Sequence, residues 1–177
     1  MEDIQRVLFT DEEIARRVKE IGRQITKDYQ GKDLVLVGIL KGAIIFFSDL
    51  VRQIDTPLHM DFMAVSSYSE SHESSGVVRI LKDLDVSIEG RDVLIVEDIV
   101  DTGLTLAYLK EILQSRKPMS IRVASLLDKP ERRQVNLQPD YLGFSIPDVF
   151  VVGYGLDFAE QYRYLPYVGV LAPQAYE

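Results

Sequence analysis

The chain has 177 residues, with 20 Lys and Arg against 28 Asp and Glu, so its formal net charge is −8. It contains no Cys and only two His, which excludes disulfides, thiolate nucleophiles, Cys-ligated metal centres and His-rich metal sites. Because an acidic chain lacks the basic face that binds nucleic acid and no apolar run is long enough to cross a bilayer, we expect a soluble cytoplasmic protein without nucleic-acid or membrane partners.

Helices and strands are predicted to alternate along the first half of the chain. Thr10 and Glu13 have the spacing of a capping box, and the apolar residues behind them recur at helical intervals, which predicts a helix from this point. The run Leu34–Leu40 is apolar throughout, as is typical of a strand buried on both faces of a parallel sheet. The remaining elements of this half are a helix over Ala43–Ile54 and strands near Leu58–Val65 and Val77–Leu81.

The most polar stretch of the chain, Ser66–Gly76, lies between the last two of these strands. It is longer than a hairpin turn and cannot build a core of its own, so a mobile lid and an ordinary surface loop are both possible. Composition alone favours the surface loop.

The second half of the chain continues the alternation. The apolar strand Val93–Val96 runs directly into the polar segment Glu97–Thr105, and a helix follows until Pro118. The later strands are predicted at Ile121–Leu127, Phe150–Gly153 and Val168–Leu171. This alternation predicts an α/β fold with a mainly parallel central sheet flanked by helices.

Three polar segments stand where predicted strands end, which is the edge at which parallel sheets bind ligands. They are Lys41-Gly42, Glu97–Thr105 and Asp128-Lys129. The middle segment finishes in a glycine-containing turn, Thr102–Thr105, just as a helix begins. Free backbone N–H groups, the positive end of the helix and two Thr hydroxyls together predict a phosphate-binding turn.

Three carboxylates, those of Glu97, Asp98 and Asp101, lie directly before this turn and would repel the anion that the turn attracts. A hard divalent cation between the carboxylates and the ligand removes the conflict, and Mg²⁺ fits because it prefers oxygen ligands and keeps several waters. The alternative is that one of these acids only caps the helix. Three acids before one turn favour a metal-assisted phosphate site, with carboxylates that bind the metal directly or through water.

Other phosphate-binding patterns are absent or weak. The chain has neither the GxxxxGK[ST] pattern of a P-loop nor the GxGxxG pattern of a dinucleotide fold. Asp83–Ser87 (DLDVS) imitates the DxDx[TV] loop of haloacid-dehalogenase-like phosphatases. Because this segment follows Lys82 rather than an apolar strand end, and turn residues come after it, a turn is the favoured interpretation.

Several segments resemble, in order, the motifs of type I phosphoribosyltransferases. Val93–Leu106 (VLIVEDIVDTGLTL) is similar to the motif for phosphoribosyl pyrophosphate (PRPP), and its Glu-Asp pair resembles that of the 6-oxopurine (hypoxanthine-guanine) branch. Leu40–Gly42 resembles the pyrophosphate loop, and Ser67-Tyr68 the signature of a flexible lid. Ser125–Lys129 (SLLDK) resembles the strand end that contacts the purine, and Pro139–Arg163 the C-terminal hood.

The resemblance implies a single domain over residues 1–177, with a small hood formed by the N-terminal segment and about residues 139–177. It implies Mg²⁺-dependent transfer of the phosphoribosyl group from PRPP to hypoxanthine or guanine, which gives IMP or GMP and pyrophosphate. It also implies a homodimer or a homotetramer. The reaction leaves a cationic ribosyl centre and a departing anion, and the enzyme must stabilise both.

The resemblance also implies roles for the residues on the PRPP side. Asp101 would be the general base that takes the proton from purine N7. The 5′-phosphate would be bound by Asp101, Thr102, Gly103, Leu104 and Thr105. The acids beside the ribose and the metal would be Glu97, Asp98 and Asp157. The pyrophosphate would be held by Lys41, Gly42 and Arg163.

On the purine side, the resemblance implies contacts from Lys129, Phe150, Val151 and Asp157. Lys129 would donate to the exocyclic O6, where adenine presents an amino group instead, and Phe150 would stack on the ring. Leu104 stands where vertebrate relatives carry Lys, so its side chain is not expected to contact phosphate. The lid tip, residues 69–75, has no counterpart in these motifs.

Two further hypotheses remain open. One is a related phosphoribosyltransferase for xanthine or uracil, including pyrimidine attenuators that bind RNA, and the other is a non-catalytic PRPP sensor of the kind found in purine repressors. Lys129 and Phe150 favour the purine enzyme, and the net charge of −8 opposes RNA binding. Retention of Asp101 favours catalysis. The ratio of hypoxanthine, guanine and xanthine use is left open.

Overall fold

The computed structural model describes residues 3–67 and 78–176, so the expected lid residue Tyr68 and the lid tip at 69–75 lie outside the described residues. The helices are α1 (Asp11–Asp28), α2 (Ile44–Val51) and α3 (Leu104–Gln114), with short 3-10 helices at Pro130–Arg132 and Pro173–Ala175. The strands are β1 (Ile4–Phe9), β2 (Leu34–Leu40), β3 (Leu58–Ser67), β4 (Val78–Lys82), β5 (Asp92–Val100), β6 (Ser120–Asp128), β7 (Tyr141–Ser145), β8 (Val151–Val152) and β9 (Val168–Leu171).

A six-stranded sheet forms the centre of the fold, with strand order β4-β3-β2-β5-β6-β7. Every neighbouring pair in it is parallel except β3 with β4, which is antiparallel. The prediction of an α/β fold with a mainly parallel sheet is therefore confirmed. The chain moves from β2 to β3 on one side and returns to β5 on the other, so the order reverses at β2, where such sheets bind ligands.

A smaller antiparallel sheet has the strand order β1-β9-β8, and its strands come from the two segments expected to form the hood. In this sheet the N-terminal strand β1 pairs with β9, with Ile4 opposite Leu171. The strand β7, which lies within the range expected for the hood, pairs with β6 and belongs to the six-stranded sheet.

The central sheet is covered on both faces, as the apolar run in β2 predicts. Leu34 and Leu36 belong to one buried cluster, together with the apolar faces of α1 and α2. Val35 and Val37 point into a second buried cluster, which contains the apolar residues of α3. Across residues 3–67 and 78–176, no helix combines the length and the apolar composition that crossing a membrane requires.

The helix boundaries follow from local hydrogen bonds. The predicted capping box of α1 is present: the Glu13 N–H donates to Thr10 Oγ1 at 3.2 Å, and the Thr10 N–H donates to Glu13 Oε2 at 2.8 Å. The second helix is shorter than predicted and ends at Val51 rather than Ile54. There the Gln53 and Ile54 N–H groups bond to carbonyls three residues back, which tightens the turn and ends the α-helix.

The segment that imitates a phosphatase loop, Asp83–Ser87, is a structural turn. The buried Asp61 carboxylate accepts the N–H groups of Asp85 and Val86 through Oδ2, at 2.9 and 3.1 Å. The Asp83 carboxylate is paired with Arg116, whose guanidinium lowers the pKa of the Asp83 carboxyl. The Asp83 carboxylate is therefore engaged in an ion pair, and the exposed Asp85 carboxylate pairs with Lys82 at 3.1 Å.

Candidate active site

The carboxyl ends of β2, β5 and β6 bring the predicted site segments to one edge of the sheet. Lys41 and Gly42 directly follow β2, and Lys129 follows β6, where its N–H donates to the Val100 carbonyl at 2.9 Å. The strand before the acidic segment is longer than predicted: β5 continues to Val100 instead of ending at Val96. Glu97 is therefore part of the sheet and pairs with Ser125 of β6.

Gly42 and Asp98 are in direct contact at this edge. A Cβ atom at Gly42 would lie 1.9 Å from Asp98 Oδ2, a distance that no side chain tolerates. The peptide bond between Leu40 and Lys41 is cis. Only glycine lets the loop after β2 pass this close to the acidic end of β5.

Gly103 shapes the turn between β5 and α3. It adopts the left-handed conformation with a φ of +81° and is the N-cap residue of α3, with no side chain bonded to the helix end. Arg133 supports the turn from outside, since its Nε–H donates to the Asp101 carbonyl at 3.1 Å and its guanidinium pairs with Asp128. The first turn of α3 carries no acidic side chain, and Thr102, Gly103 and Thr105 line a cavity at this end of the helix, which suits an anion.

At the end of β5, Glu97 is buried and Asp98 is half-buried, and this environment changes their ionisation. Burial raises the pKa of the Glu97 carboxyl well above its ordinary value, and the neighbouring Asp98 charge raises it further. Burial also raises the pKa of Asp98, to about 6, although the N–H of Ile99 and the charge of Arg163 act in the opposite direction. A bound cation would stabilise the ionised forms of these two adjacent carboxyls, whose pKa values are raised.

These residues fit a magnesium ion that is shared with a substrate. All candidate ligands are carboxylate oxygens, the donor type that Mg²⁺ prefers. Within residues 3–67 and 78–176, no group of three or more His, Cys, Asp or Glu side chains is arranged to hold a metal by itself. The arrangement suits an ion that is bound largely through water and substrate oxygens, with Glu97, Asp98 and Asp157 beside it.

Asp101 lies where three cavities meet. The aromatic cavity, of about 530 Å³, is lined by Asp101 with Gln5, Lys129, Arg132, Asp148, Val149, Phe150, Val170, Leu171, Pro173 and Tyr176. The acidic cavity, of about 230 Å³, is lined by Asp101 with Asp98, Ile99, Lys129, Phe150, Val151, Leu156 and Asp157. The turn cavity, of about 210 Å³, is lined by Asp101 with Ile39, Glu97, Ile99, Val100, Thr102, Gly103, Thr105 and Leu106.

An ion-pair chain runs along the aromatic cavity. Arg132 Nε lies 2.8 Å from Asp101 Oδ1, and Arg132 Nη1 lies 3.5 Å from Asp148 Oδ1. The same Asp148 oxygen lies 3.6 Å from the Nζ atom of Lys129, which is a buried lysine. Asp101 Oδ1 is itself buried and accepts no hydrogen bond from any described residue, so the geometry with Arg132 is that of an ion pair alone.

Three aromatic side chains pack together beside Lys129. The Tyr176 ring stacks on Phe150 with centroids 5.1 Å apart and an interplanar angle of 25°. Phe158 meets Phe150 edge-on, with centroids 5.6 Å apart. Phe150 remains 38% exposed, so an aromatic surface is left open at the site.

The two cations of the predicted pyrophosphate site are joined by Glu160. Lys41 Nζ lies 2.8 Å from Glu160 Oε2, and Arg163 Nη2 lies 3.1 Å from Glu160 Oε1. Arg163 also pairs with Asp157 at 2.9 Å, and its Nη1 donates to the Gly155 carbonyl at 2.8 Å. The buried Nε of Arg163 has no hydrogen-bond partner among the described residues, which leaves one donor available.

The predicted site residues fall into two neighbouring groups. Those around the acidic and turn cavities are Glu97, Asp98, Asp101, Thr102, Gly103, Thr105, Lys129, Phe150, Val151 and Asp157. Those beside them are Lys41, Gly42 and Arg163, which approach through Asp98, Asp157 and Glu160. Leu104 begins α3 and does not line the turn cavity, and Ser67 is the last residue of β3.

Several residues at the site were missed by sequence reasoning: Arg132, Arg133, Asp148, Phe158, Glu160 and Tyr176. The pair Arg132-Arg133 follows Lys129 within four positions, and this closeness to a strand end was the one signal that could have included it. Tyr176 is remote in sequence from every motif, so no local pattern points to it.

Comparison with known proteins gives closely similar relatives. A sequence profile described as the phosphoribosyl transferase domain matches residues 7–159. The hypoxanthine-guanine phosphoribosyltransferase of Bacillus subtilis is 56% identical over 175 residues, which are 99% of this chain and 97% of that protein. The enzyme of the same name from Staphylococcus aureus is 57% identical over 174 residues, which are 98% of this chain and 97% of that protein. A crystal structure of a hypoxanthine phosphoribosyltransferase from Staphylococcus aureus matches with a TM-score of 0.97 at 56% identity, covering 99% of this chain and 96% of that one.

Proposed function

The chain belongs to the phosphoribosyl transferase family, and from this premise we propose that it transfers the 5-phosphoribosyl group of PRPP to N9 of hypoxanthine or guanine. The products are IMP or GMP and pyrophosphate, the reaction of purine salvage. The observation that carries the proposal is the position of Asp101, which lines a phosphate-type turn, an acidic cavity and the wall that holds Lys129.

The turn cavity is the proposed site of the 5′-phosphate. The N–H groups at the start of α3, together with the hydroxyls of Thr102 and Thr105, would bind the phosphate oxygens. The Leu104 side chain takes no part, in keeping with its absence from the cavity wall. Glu97 and Asp98, at the end of β5, would lie beside the ribose hydroxyls.

The acidic cavity is the proposed site of the purine. Phe150 would stack on the ring, Val151 would contact its edge through the backbone, and Ile99 and Leu156 add apolar walls. The Lys129 ammonium group would donate to O6. Adenine carries an amino group at this position, and the clash of two donors would leave a buried group unpaired, at a cost of roughly 1–3 kcal/mol.

Asp101 is the proposed general base of the transfer. Purine N9 forms a bond to C1′ while the C1′–oxygen bond to pyrophosphate breaks, and the electron pair of that bond leaves with the pyrophosphate. The N7–H bond breaks at the same stage, and the proton moves to an Asp101 carboxylate oxygen. The position of Asp101 between the purine and phosphate cavities supports this role.

The departing pyrophosphate is assigned to Lys41, the Gly42 N–H and Arg163. Arg163 is suited to this because its planar guanidinium can hold two phosphate oxygens and its Nε is unpartnered among the described residues. Pyrophosphate would take the place of Glu160 between Lys41 and Arg163. When bound, magnesium would neutralise the pyrophosphate charge, with Glu97, Asp98 and Asp157 holding it directly or through water.

A product assay with a panel of bases tests the proposed function. The protein is incubated with PRPP and Mg²⁺ and with hypoxanthine, guanine, xanthine, adenine or uracil in separate reactions. We expect IMP and GMP, each with one equivalent of pyrophosphate, and no product from adenine or uracil. Nucleotide formed from uracil alone, or no nucleotide from any base, would refute the proposal.

A homodimer or homotetramer is the proposed assembly. Large apolar side chains on the surface at Met60, Leu81 and Met119, which are 58%, 61% and 71% exposed, are candidates for burial between copies. Light scattering would then give two or four times the chain mass of 20.1 kDa, whereas a mass of 20.1 kDa would refute the assembly.

A further inference from the structure

Arg132 stands between two acids that border the proposed site. It ends the 3-10 turn that Pro130 begins after β6, and its N–H donates to the Lys129 carbonyl at 3.2 Å. Because of this turn, the Arg132 side chain lies 2.8 Å from Asp101 and 3.5 Å from Asp148. Asp148 in turn lies 3.6 Å from the Lys129 ammonium group.

The charges in this series of ion pairs alternate from the proposed base, Asp101, to the proposed O6 donor, Lys129. Asp101 is negative, Arg132 positive, Asp148 negative and Lys129 positive, and all four line the aromatic cavity. The two ends of this series of ion pairs, Asp101 and Lys129, are the groups proposed to meet N7 and O6, which are neighbours on one edge of the purine. Arg132 and Asp148 therefore connect the proton acceptor to the group that selects the base.

The exposure of these side chains indicates that their ion pairs contribute little to the stability of the folded protein. The side chains of Asp101, Arg132 and Asp148 are 41%, 47% and 48% exposed. Ion pairs that are exposed to this degree add little to the free energy of unfolding. The positions of the reacting groups affect the rate much more strongly, because a misplaced reacting group can lower the rate by up to about 10²-fold.

We propose that Arg132 is a positioning residue that holds the Asp101 carboxylate toward the purine and, through Asp148, holds Lys129 toward O6. This inference rests on the proposed function. Asp101 Oδ1 is buried without a hydrogen bond from any described residue, so Arg132 is the described cation that restrains it, and the other carboxylate oxygen, Oδ2, is left to accept the proton. The next residue, Arg133, contacts the backbone of the turn instead, since its Nε–H donates to the Asp101 carbonyl.

The test compares Arg132→Met, which removes the charge at similar length, with Arg132→Lys, which retains it. We expect Arg132→Met to lower kcat by about 10- to 10²-fold with the KM for PRPP within about twofold of the unaltered protein. Arg132→Lys should recover most of the loss, and Asp148→Asn in the Arg132→Met background should add less than it does alone. Arg52→Met, which breaks the exposed pair with Asp49, is the matched control and should leave kcat unchanged.

Three kinetic outcomes would overturn the proposal: a kcat for Arg132→Met within twofold of the unaltered protein, no recovery in Arg132→Lys, or a parallel rise in the KM for PRPP. Crystal structures of both variants supply a readout that needs no turnover. Asp101 and Lys129 should be displaced or spread over several rotamers in Arg132→Met and ordered in Arg132→Lys. Unmoved side chains in Arg132→Met would overturn the positioning role, whereas an inactive unaltered protein would refute only the proposed function.

Discussion

At the residue scale, Glu160 joins the two basic residues of the proposed pyrophosphate site. Its carboxylate bridges Lys41 and Arg163, and hydrogen bonds from these two cations lower the pKa of the Glu160 carboxyl. Lys41 and Glu160 are largely exposed, so the bridge is accessible to a competing anion. Glu160 thus occupies the position that pyrophosphate is proposed to take.

Replacing Glu160 by Gln removes the competing charge while it keeps the size of the side chain. We expect the KM for PRPP to fall by about two- to fivefold, the scale of an exposed ion pair, with kcat unchanged. Steady-state kinetics with PRPP as the varied substrate measure this. Glu89→Gln, at an exposed position in the turn after β4, is the control. A higher KM for PRPP in Glu160→Gln would mean that Glu160 holds the two cations in place for the substrate.

At the scale of elements, close packing of two loop ends decides the geometry of the site. The loop after β2 passes so near the end of β5 that a Cβ at Gly42 would lie 1.9 Å from Asp98 Oδ2. Any side chain there must move either the loop or the carboxylate. Because Gly42 has no side chain, the loop can pack against Asp98, and this packing fixes the position of Lys41 relative to Asp98.

Gly42→Ala should lower kcat/KM for PRPP by about 10²-fold, because it displaces groups that are proposed to contact the pyrophosphate. Gly31→Ala is the control. No atom lies within 4 Å of the position that a Cβ would take there, so the change can strain the backbone, which has a positive φ at Gly31 but not at Gly42, without touching the site. Equal kinetics in the two variants would show that the contact between Gly42 and Asp98 is not needed for activity.

The capping box stabilises the N-terminus of α1, and none of the proposed active-site residues takes part in it. Thr10→Ala removes the oxygen that accepts the Glu13 N–H, so we expect the free energy of unfolding in urea to fall by about 1 kcal/mol with kcat unchanged. Thr10→Ser keeps the acceptor and should unfold like the unaltered protein. If Thr10→Ala is as stable as Thr10→Ser, the capping box contributes nothing measurable.

Elements with strong local patterns were predictable, and those that depend on distant partners were not. The capping box of α1 and the apolar run of β2 are local signals, and both are confirmed. The polar residues Glu97 and Asp98 place the predicted end of β5 too early, yet ladder pairing continues as far as Val100 opposite Asp128. No local pattern predicts β1, whose partner β9 is at the other end of the chain.

At the scale of the whole molecule, part of the surplus of acidic residues lies at the proposed site, close to two basic residues. Four of them, Glu97, Asp98, Asp101 and Asp157, face the acidic and turn cavities, with Lys41 and Arg163 close by. A site this acidic suits a highly anionic substrate only if a metal ion and the two cations offset the repulsion. The chain needs neither Cys nor His for this chemistry, since its proposed base is a carboxylate and its proposed metal is hard.

The segments of the site were predictable from sequence, but their ion pairs were not. Motif spacing identified Lys41-Gly42, the acids of β5 and Lys129, because each stands at a strand end. Arg132, Asp148 and Glu160 come from turns and loops whose course is set by tertiary packing. Their partners could be found only once the chain was folded.

The most direct test of the central claim is the rate of nucleotide formation by Asp101→Asn at saturating PRPP, Mg²⁺ and hypoxanthine. Asparagine keeps the shape of the side chain but cannot accept the N7 proton, so we expect kcat to fall by about 10²–10⁴-fold, the range for loss of a general base. PRPP binding, measured by calorimetry, should survive because the turn N–H groups and Thr hydroxyls remain. A kcat equal to that of the unaltered protein would contradict the assignment of Asp101 as the proton acceptor.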